Sequence, residues 1–178
     1  MANDKTYTKT TENTTKNLFS NFLELRNNII RESLDDIGST SHRLEFVRNV
    51  NGVDYINDSK AINVDLTWYS LETMDSTVIW IVGGMDESAD YSMLKEIVED
   101  KVSAIICLGK DTHRIFKTFM SDVDLILSAE SAEEAVHAAH SIAKKGDVVL
   151  LSPACASFDM FESFEDRGNK FKNAVDNL

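Results

Sequence analysis

Four short segments combine charged, hydroxyl and small residues at spacings able to handle a phosphorylated ligand. Asn57-Asp58-Ser59-Lys60-Ala61 sets a carboxylate and an amine two residues apart. Such a pair can orient a nucleotide through hydrogen bonds and charge, or it can be a solvated turn. Gly83-Gly84-Met85-Asp86-Glu87 opens with paired glycines, which either admit a ligand close to the backbone or make a tight turn. Ser152-Pro153-Ala154-Cys155-Ala156-Ser157 carries the only proline of the chain among small side chains. It leaves space for a ligand and offers hydroxyl and N–H donors. His42-Arg43 brings a guanidinium that can grip a phosphate or stack on adenine; the plainer alternative is a surface pair.

Other chemistries lack parts. Cys155 has no activating His beside it in sequence and reads as a packed thiol. Gly109-Lys110 resembles the end of a phosphate-binding loop, but Ala104 stands where that loop needs its first glycine. His137 and His140 can share a helix face, with no further ligand set to complete a metal site. No Ser-His-Asp arrangement is present, and the sequence assigns no catalytic residue.

The elements that must position these segments follow from periodicity. Apolar residues recur at helical spacing over Asn17 to Arg26, and Ile29, Ile30 and Leu34 continue the pattern as a second short helix. Leu44 to Val50 and Val53 to Ile56 flank Asn51-Gly52, a tight-hairpin signal because both residues accept positive φ. A helix capped by Asn63 or Asp65 runs to about Met74. Strands over Thr77–Val82, Ser103–Leu108, Val123–Leu127 and Asp147–Leu151 then alternate with helices near Tyr91–Glu99, Asp111–Met120, Ser131–Lys144 and Asn169–Asn177. Short, nearly continuous apolar strands separated by amphipathic helices predict a Rossmann-like three-layer α/β domain. Its sheet is mainly parallel, with helices on both faces and an N-terminal β-hairpin. Ligands of such sheets gather beyond the carboxyl ends of the strands, where three of the segments fall; His42-Arg43 stands before the first strand.

Composition bounds the rest. The 178 residues suit one α/β domain with a short appendage, and 43% hydrophobic residues can bury a core. A net charge of -12 disfavours nonspecific binding to nucleic acid or an anionic membrane. No apolar run is long enough to span a bilayer, and the polar, Thr-rich start lacks the apolar centre of a secretory signal. Cys107 and Cys155 sit in apolar or small-residue runs and read as reduced thiols, which fits a cytoplasmic protein.

Taken together, His42-Arg-Leu-Glu-Phe, Asn51-Gly, Asn57-Asp-Ser-Lys-Ala, Gly83-Gly, the Asp111 region, Leu151-Ser-Pro-Ala-Cys-Ala-Ser-Phe-Asp and Phe164-Glu-Asp-Arg-Gly168 come in the order and spacing of the D-glutamate-adding Mur ligases. The chain resembles the C-terminal domain of that family over Ser41 to Leu178. Residues 1–38 resemble, more weakly, the helical end of its central ATPase domain, leaving 39–178 as the C-terminal domain.

The resemblance implies a closing domain of an ATP-dependent amide-forming ligase in peptidoglycan synthesis. In that family ATP, with Mg2+, phosphorylates a UDP-muramoyl-alanine carboxylate, and the amine of D-glutamate attacks the acyl phosphate. Carried onto this chain, Asn13, His42, Arg43, Asp58 and Lys60 meet the nucleotide. Ser157, the backbone of Phe158, and Phe164 shape the D-glutamate pocket. The family has Thr at the position of Ile62 and Lys at that of Glu87, both on D-glutamate carboxylates. Leu66 also replaces a usually polar position. Those departures open an alternative, a diverged or engineered α/β domain that has lost D-glutamate binding. The chain shows no Gly-rich phosphate loop, Mg2+-binding carboxylate set or UDP-sugar domain. By this reading the isolated chain needs the N-terminal and central ligase domains as partners, and has no turnover and binds no cofactor alone.

Overall fold

The computed structural model describes residues 16–30, 40–83, 89–110, 112–156 and 160–178. They form two units, divided after Asp36. In the first, residues 16–30 make one uninterrupted helix, α1, where the sequence suggested a helix to Arg26 and then a second. Leu18, Phe22, Leu25 and Ile29 recur at helical spacing along α1 and are all more than half exposed.

The second unit is a six-stranded sheet in the order β1-β2-β6-β3-β4-β5. Its strands are β1 (Glu45–Val50), β2 (Val53–Asn57), β3 (Val78–Val82), β4 (Val102–Leu108), β5 (Leu125–Ala129) and β6 (Val148–Leu151). β1 runs antiparallel to β2, and all other pairings are parallel. The predicted fold class is the one observed. Asn51 and Gly52 take φ of 56° and 87°, the left-handed pair that a two-residue hairpin requires.

The helices are α2 (Val64–Glu72), α3 (Lys95–Lys101, entered through a 3-10 turn at Tyr91–Leu94), α4 (His113–Phe119), α5 (Ala132–Ile142) and α6 (Phe164–Asp176). Connections β2→β3→β4→β5 all progress in one direction across the sheet, whereas β5→β6 turns back. Right-handed crossovers therefore put α2, α3 and α4 on one face and α5 on the other, where α6 packs beside it. Strand residues alternate accordingly. Ile79, Ile81, Ile106, Val149 and Leu151 join α5 and α6 in one core, while Trp80 meets Phe119 of α4 edge-to-face on the other side.

Several element ends lie one or two residues from the sequence-based expectation, and the start of α6 lies five away. β5 begins two residues later than Val123, in an edge strand whose apolar residues are only half buried. α6 begins at Phe164 rather than Asn169, because Ser163 caps it by accepting from Asp166 N–H, while Asp166 accepts from Glu162 N–H. That earlier start draws Phe164-Glu-Asp-Arg-Gly168 onto a helix. Both cysteines are buried and outside any disulfide among the described residues, and burial pushes the Cys107 thiol up to about 12.

Candidate functional site

The chain reverses its direction across the sheet between β6 and β3, and the carboxyl ends of β2, β6 and β3 meet there. Asp58 N–H continues the β2–β6 ladder to Leu151 O at 2.8 Å. Ala154 N–H donates to Ala61 O at 3.0 Å, and Gly83 N–H to Pro153 O at 3.1 Å. Three loops are thereby tied edge to edge. Gly83 has φ +134°, and a Cβ there would lie 2.4 Å from Leu108 O, so no larger residue fits this junction.

Asp58, read from sequence as a nucleotide contact, is fully buried and faces inward. Its Oδ2 accepts from Ser152 Oγ at 3.0 Å and from Ser70 Oγ; its Oδ1 accepts from Leu44 N–H at 3.2 Å and lies 3.5 Å from Arg43 Nη1. One carboxylate thus joins the end of β2, helix α2, the loop after β6 and the turn before β1. Arg43 is 5% exposed and lies over the Tyr69 ring, 5.5 Å from its centroid. Its Nη2 is buried and has no hydrogen-bond partner among the described residues.

His42 sits beside it with φ 61°, and Leu44 and Ala154 also have positive φ. Non-glycine residues held in that region cost about 1–3 kcal/mol each and persist where surrounding contacts over-determine them. Here those contacts are visible. His42 N–H donates to Glu45 Oε2 at 2.9 Å and its carbonyl accepts from Lys60 N–H at 2.9 Å. Phe164 stands edge-on to the imidazole at 6.2 Å.

The third tie is Arg167, 1% exposed inside α6. Its Nε donates to Ser59 Oγ and its Nη2 to Ser59 O, each at 2.9 Å, and both Nη atoms reach Cys155 O at 3.4 Å. Ser59 Oγ in turn donates to Phe164 O at 2.7 Å. Next to it, Gly168 lets α6 touch the imidazole: a Cβ there would lie 2.2 Å from His42 Nδ1.

The structure therefore gathers His42, Arg43, Asp58, Lys60 and Phe164 at one sheet edge. Lys60 is exposed, and Ile62 is 45% exposed just beyond it. Asn13, Glu87, Ser157 and Phe158 lie outside the described residues. Sequence reasoning did not single out Asn57, Ser70, Ser152, Arg167 or Gly168 as individual contributors. Four of these sit inside quoted motifs, yet nothing in a motif says which side chain turns inward. Of the two histidines on α5, His140 binds Tyr55 Oη through Nδ1 at 3.0 Å.

Burial pushes the Asp58 carboxyl up to about 6, against the lowering effect of its four donors. The folded state then holds the proton more tightly than the unfolded chain, so this group's contribution to stability falls as pH rises between 3.8 and 6. Burial first, then Lys172, keeps the His42 imidazole below its ordinary 6.5. In the interval below 6.5 the unfolded chain binds more protons at His42, and stability rises with pH. The two slopes oppose each other. Asp58→Asn removes the falling one, on the order of 3 kcal/mol across its window. Urea unfolding midpoints measured between pH 3.8 and 6 will rise more steeply with pH in the variant; parallel profiles would refute the assignment.

A layered α/β domain whose polar loops converge at its switch point is a broad class; comparison with known proteins narrows it. The model of the family described as Mur ligase, glutamate ligase domain matches residues 42–155, more than half of the chain. The chain belongs to that Mur ligase family. Its relatives include UDP-N-acetylmuramoylalanine–D-glutamate ligase of Christiangramia forsetii, 50% identical over 90% of this chain and 36% of that protein. The like-named ligase of Cytophaga hutchinsonii is 50% identical over 80% of this chain and 32% of its own length. The chain thus spans about a third of the relatives it matches. In fold it is similar to the Thermotoga maritima MurF ligase solved with ADP, at 17% identity and TM-score 0.50, covering 78% of this chain and 32% of that one. It is similar also to a bifunctional folylpolyglutamate synthase/dihydrofolate synthase from Yersinia pestis, at 18% identity and TM-score 0.55, with 79% and 32% coverage.

Proposed function

We propose that this chain is the D-glutamate- and ATP-binding closing domain of a cytoplasmic UDP-N-acetylmuramoylalanine–D-glutamate ligase of peptidoglycan synthesis. Arg43 is the observation that carries this reading. A buried guanidinium whose Nη2 has no partner among the described residues, beside the exposed ammonium of Lys60, is suited to a phosphate oxygen. His42 and Lys60 share the nucleotide with it; Asn13 is a nucleotide contact by the family resemblance alone. Asp58 acts from behind: with both oxygens taken inside the fold, it holds Arg43 and the β6 loop in place. Ser157, the Phe158 backbone and Phe164 form the D-glutamate side.

Catalysis of this kind rests on positioning and charge neutralisation. The ligase needs ATP with Mg2+. By the family resemblance, the Mg2+ ligands belong to the central ligase domain. Residues 1–38 are proposed as the end of the central domain, and the exposed Leu18, Phe22, Leu25 and Ile29 supply an apolar face for packing there. Alone, the chain has no turnover.

Glu87 and Ile62 favour a second reading, a diverged domain with weakened D-glutamate binding. An ammonium–carboxylate pair at ~4 Å is of order 4 kcal/mol at effective ε near 20, and Glu87 turns that attraction into repulsion. One pair of calorimetric titrations on the full ligase tests both readings. Lys60→Ala lowers ADP affinity about tenfold or more, a change of ~1.4 kcal/mol; unchanged affinity removes the nucleotide role. Glu87→Lys raises D-glutamate affinity by at least a similar factor; a wild-type affinity equal to the variant's removes the divergent reading.

A further inference from the structure

We infer that Asn57 is a positioning residue that fixes the His42 imidazole in one tautomer, with Nδ1 as acceptor and Nε2–H as donor. The inference deepens the nucleotide reading above, since that Nε2–H is what His42 then has to offer a ligand.

The Asn57 amide is fully buried at the end of β2. Its Oδ1 accepts from Ser59 N–H at 3.1 Å, and its Nδ2 lies 3.0 Å from Glu45 Oε2 and 3.0 Å from His42 Nδ1. Turning the amide over would set its NH2 against the Ser59 N–H and its carbonyl against the Glu45 carboxylate, two mismatches at once. The orientation is therefore determined by the network. An NH2 facing Nδ1 requires a lone pair there, so the proton of neutral His42 resides on Nε2. Protonating Nδ1 would oppose two donors.

The neighbours hold the ring against that contact. Gly168 leaves no gap behind Nδ1, Phe164 stands at its edge, and Glu45 anchors the His42 backbone N–H. The charged groups facing His42 are Glu45 on β1, Lys172 and Glu165 on α6, and Lys60 on the β2 loop. Glu45, the one anion close to Nδ1, at 3.9 Å, is already engaged by Lys172 Nζ at 3.1 Å and by the Asn57 amide.

The test is the long-range 1H–15N correlation spectrum of the 15N-labelled 178-residue chain, with His42 assigned by its loss in His42→Gln. At about pH 8, where a free imidazole is almost wholly neutral, His42 shows an unprotonated Nδ1 and a protonated Nε2. In Asn57→Asp the acceptor facing Nδ1 draws the proton there, and the ring titrates above its ordinary value. In Asn57→Ala the titration midpoint rises toward that value. A wild-type ring that is charged or carries its proton on Nδ1 at that pH overturns the inference, and so does an unchanged His42 spectrum in a folded Asn57→Asp. The wild-type spectrum decides the matter even where a variant fails to fold. ADP added to the wild type tests the nucleotide reading separately: an unmoved Nε2 signal refutes that role of His42 while leaving the hold of Asn57 on the ring intact.

Discussion

Replacing Arg167 with methionine lowers the unfolding free energy by about 3 kcal/mol and separates the two loops of the site. Methionine keeps much of the aliphatic volume and loses every donor. Hydrogen bonds from a charged group are worth ~1.5–3 kcal/mol each, and Ser59 Oγ and Ser59 O each lose one at 2.9 Å. Part of that loss is offset because a charge no longer has to be desolvated, which sets the net value near 3 rather than 6 kcal/mol. For a protein of this size, about 2–4 °C of melting temperature goes with each kcal/mol. A drop of roughly 6–12 °C in thermal unfolding is therefore expected. Arg167→Lys falls nearly as far, since one ammonium cannot reproduce the fork that spans Ser59 and Cys155. A melting temperature within two degrees or so of wild type for both variants would mean that the arginine does not tie the loops.

Gly168→Ala reverses the usual sign of its class. In an ordinary helix interior, alanine is favoured over glycine by about 1 kcal/mol. Here the added methyl would lie 2.2 Å from His42 Nδ1 and 3.1 Å from Asn57 Nδ2. The obstacle is a ring pinned from several sides, not the free end of a flexible chain. Forcing an extra carbon into such packing costs about 1–3 kcal/mol, and the His42–Asn57 contact breaks. Chemical unfolding is expected to show a loss of about 1 kcal/mol or more despite the better helix former. A gain in stability would show that α6 can draw back from the imidazole at no cost.

These two neighbouring residues also mark where reasoning from sequence stops. Alternating apolar strands and helices define the layers, and Asn51-Gly52 specifies its turn outright, because few other pairs accept positive φ twice. The polar run Phe164 to Lys170 has too few apolar residues to announce a helix. Its cap, Ser163 with Asp166, was the available signal. Motif spacing brings His42, Arg43, Asp58 and Lys60 to one edge without revealing their directions. Asp58 and Lys60 are two residues apart and face opposite ways, one into the core and one into solvent. That difference arises from Ser70 and Ser152, which come from distant parts of the chain and offer hydroxyls only to a carboxylate pointing inward.

The position of β6 has a consequence for how the molecule assembles. β6, the last of these six strands in sequence, is seated between β2 and β3, so the earlier strands cannot pair across that gap. Before Val148–Leu151 arrives, the β1–β2 hairpin and the β3–β4–β5 trio are two sheet fragments with unpaired edges. Non-local closures of this sort fold slowly and leave sticky edges open meanwhile. Inserting β6 zips both halves together, and the same event delivers Ser152 to Asp58. The loop network at the carboxyl edge is thus completed in the step that completes the sheet.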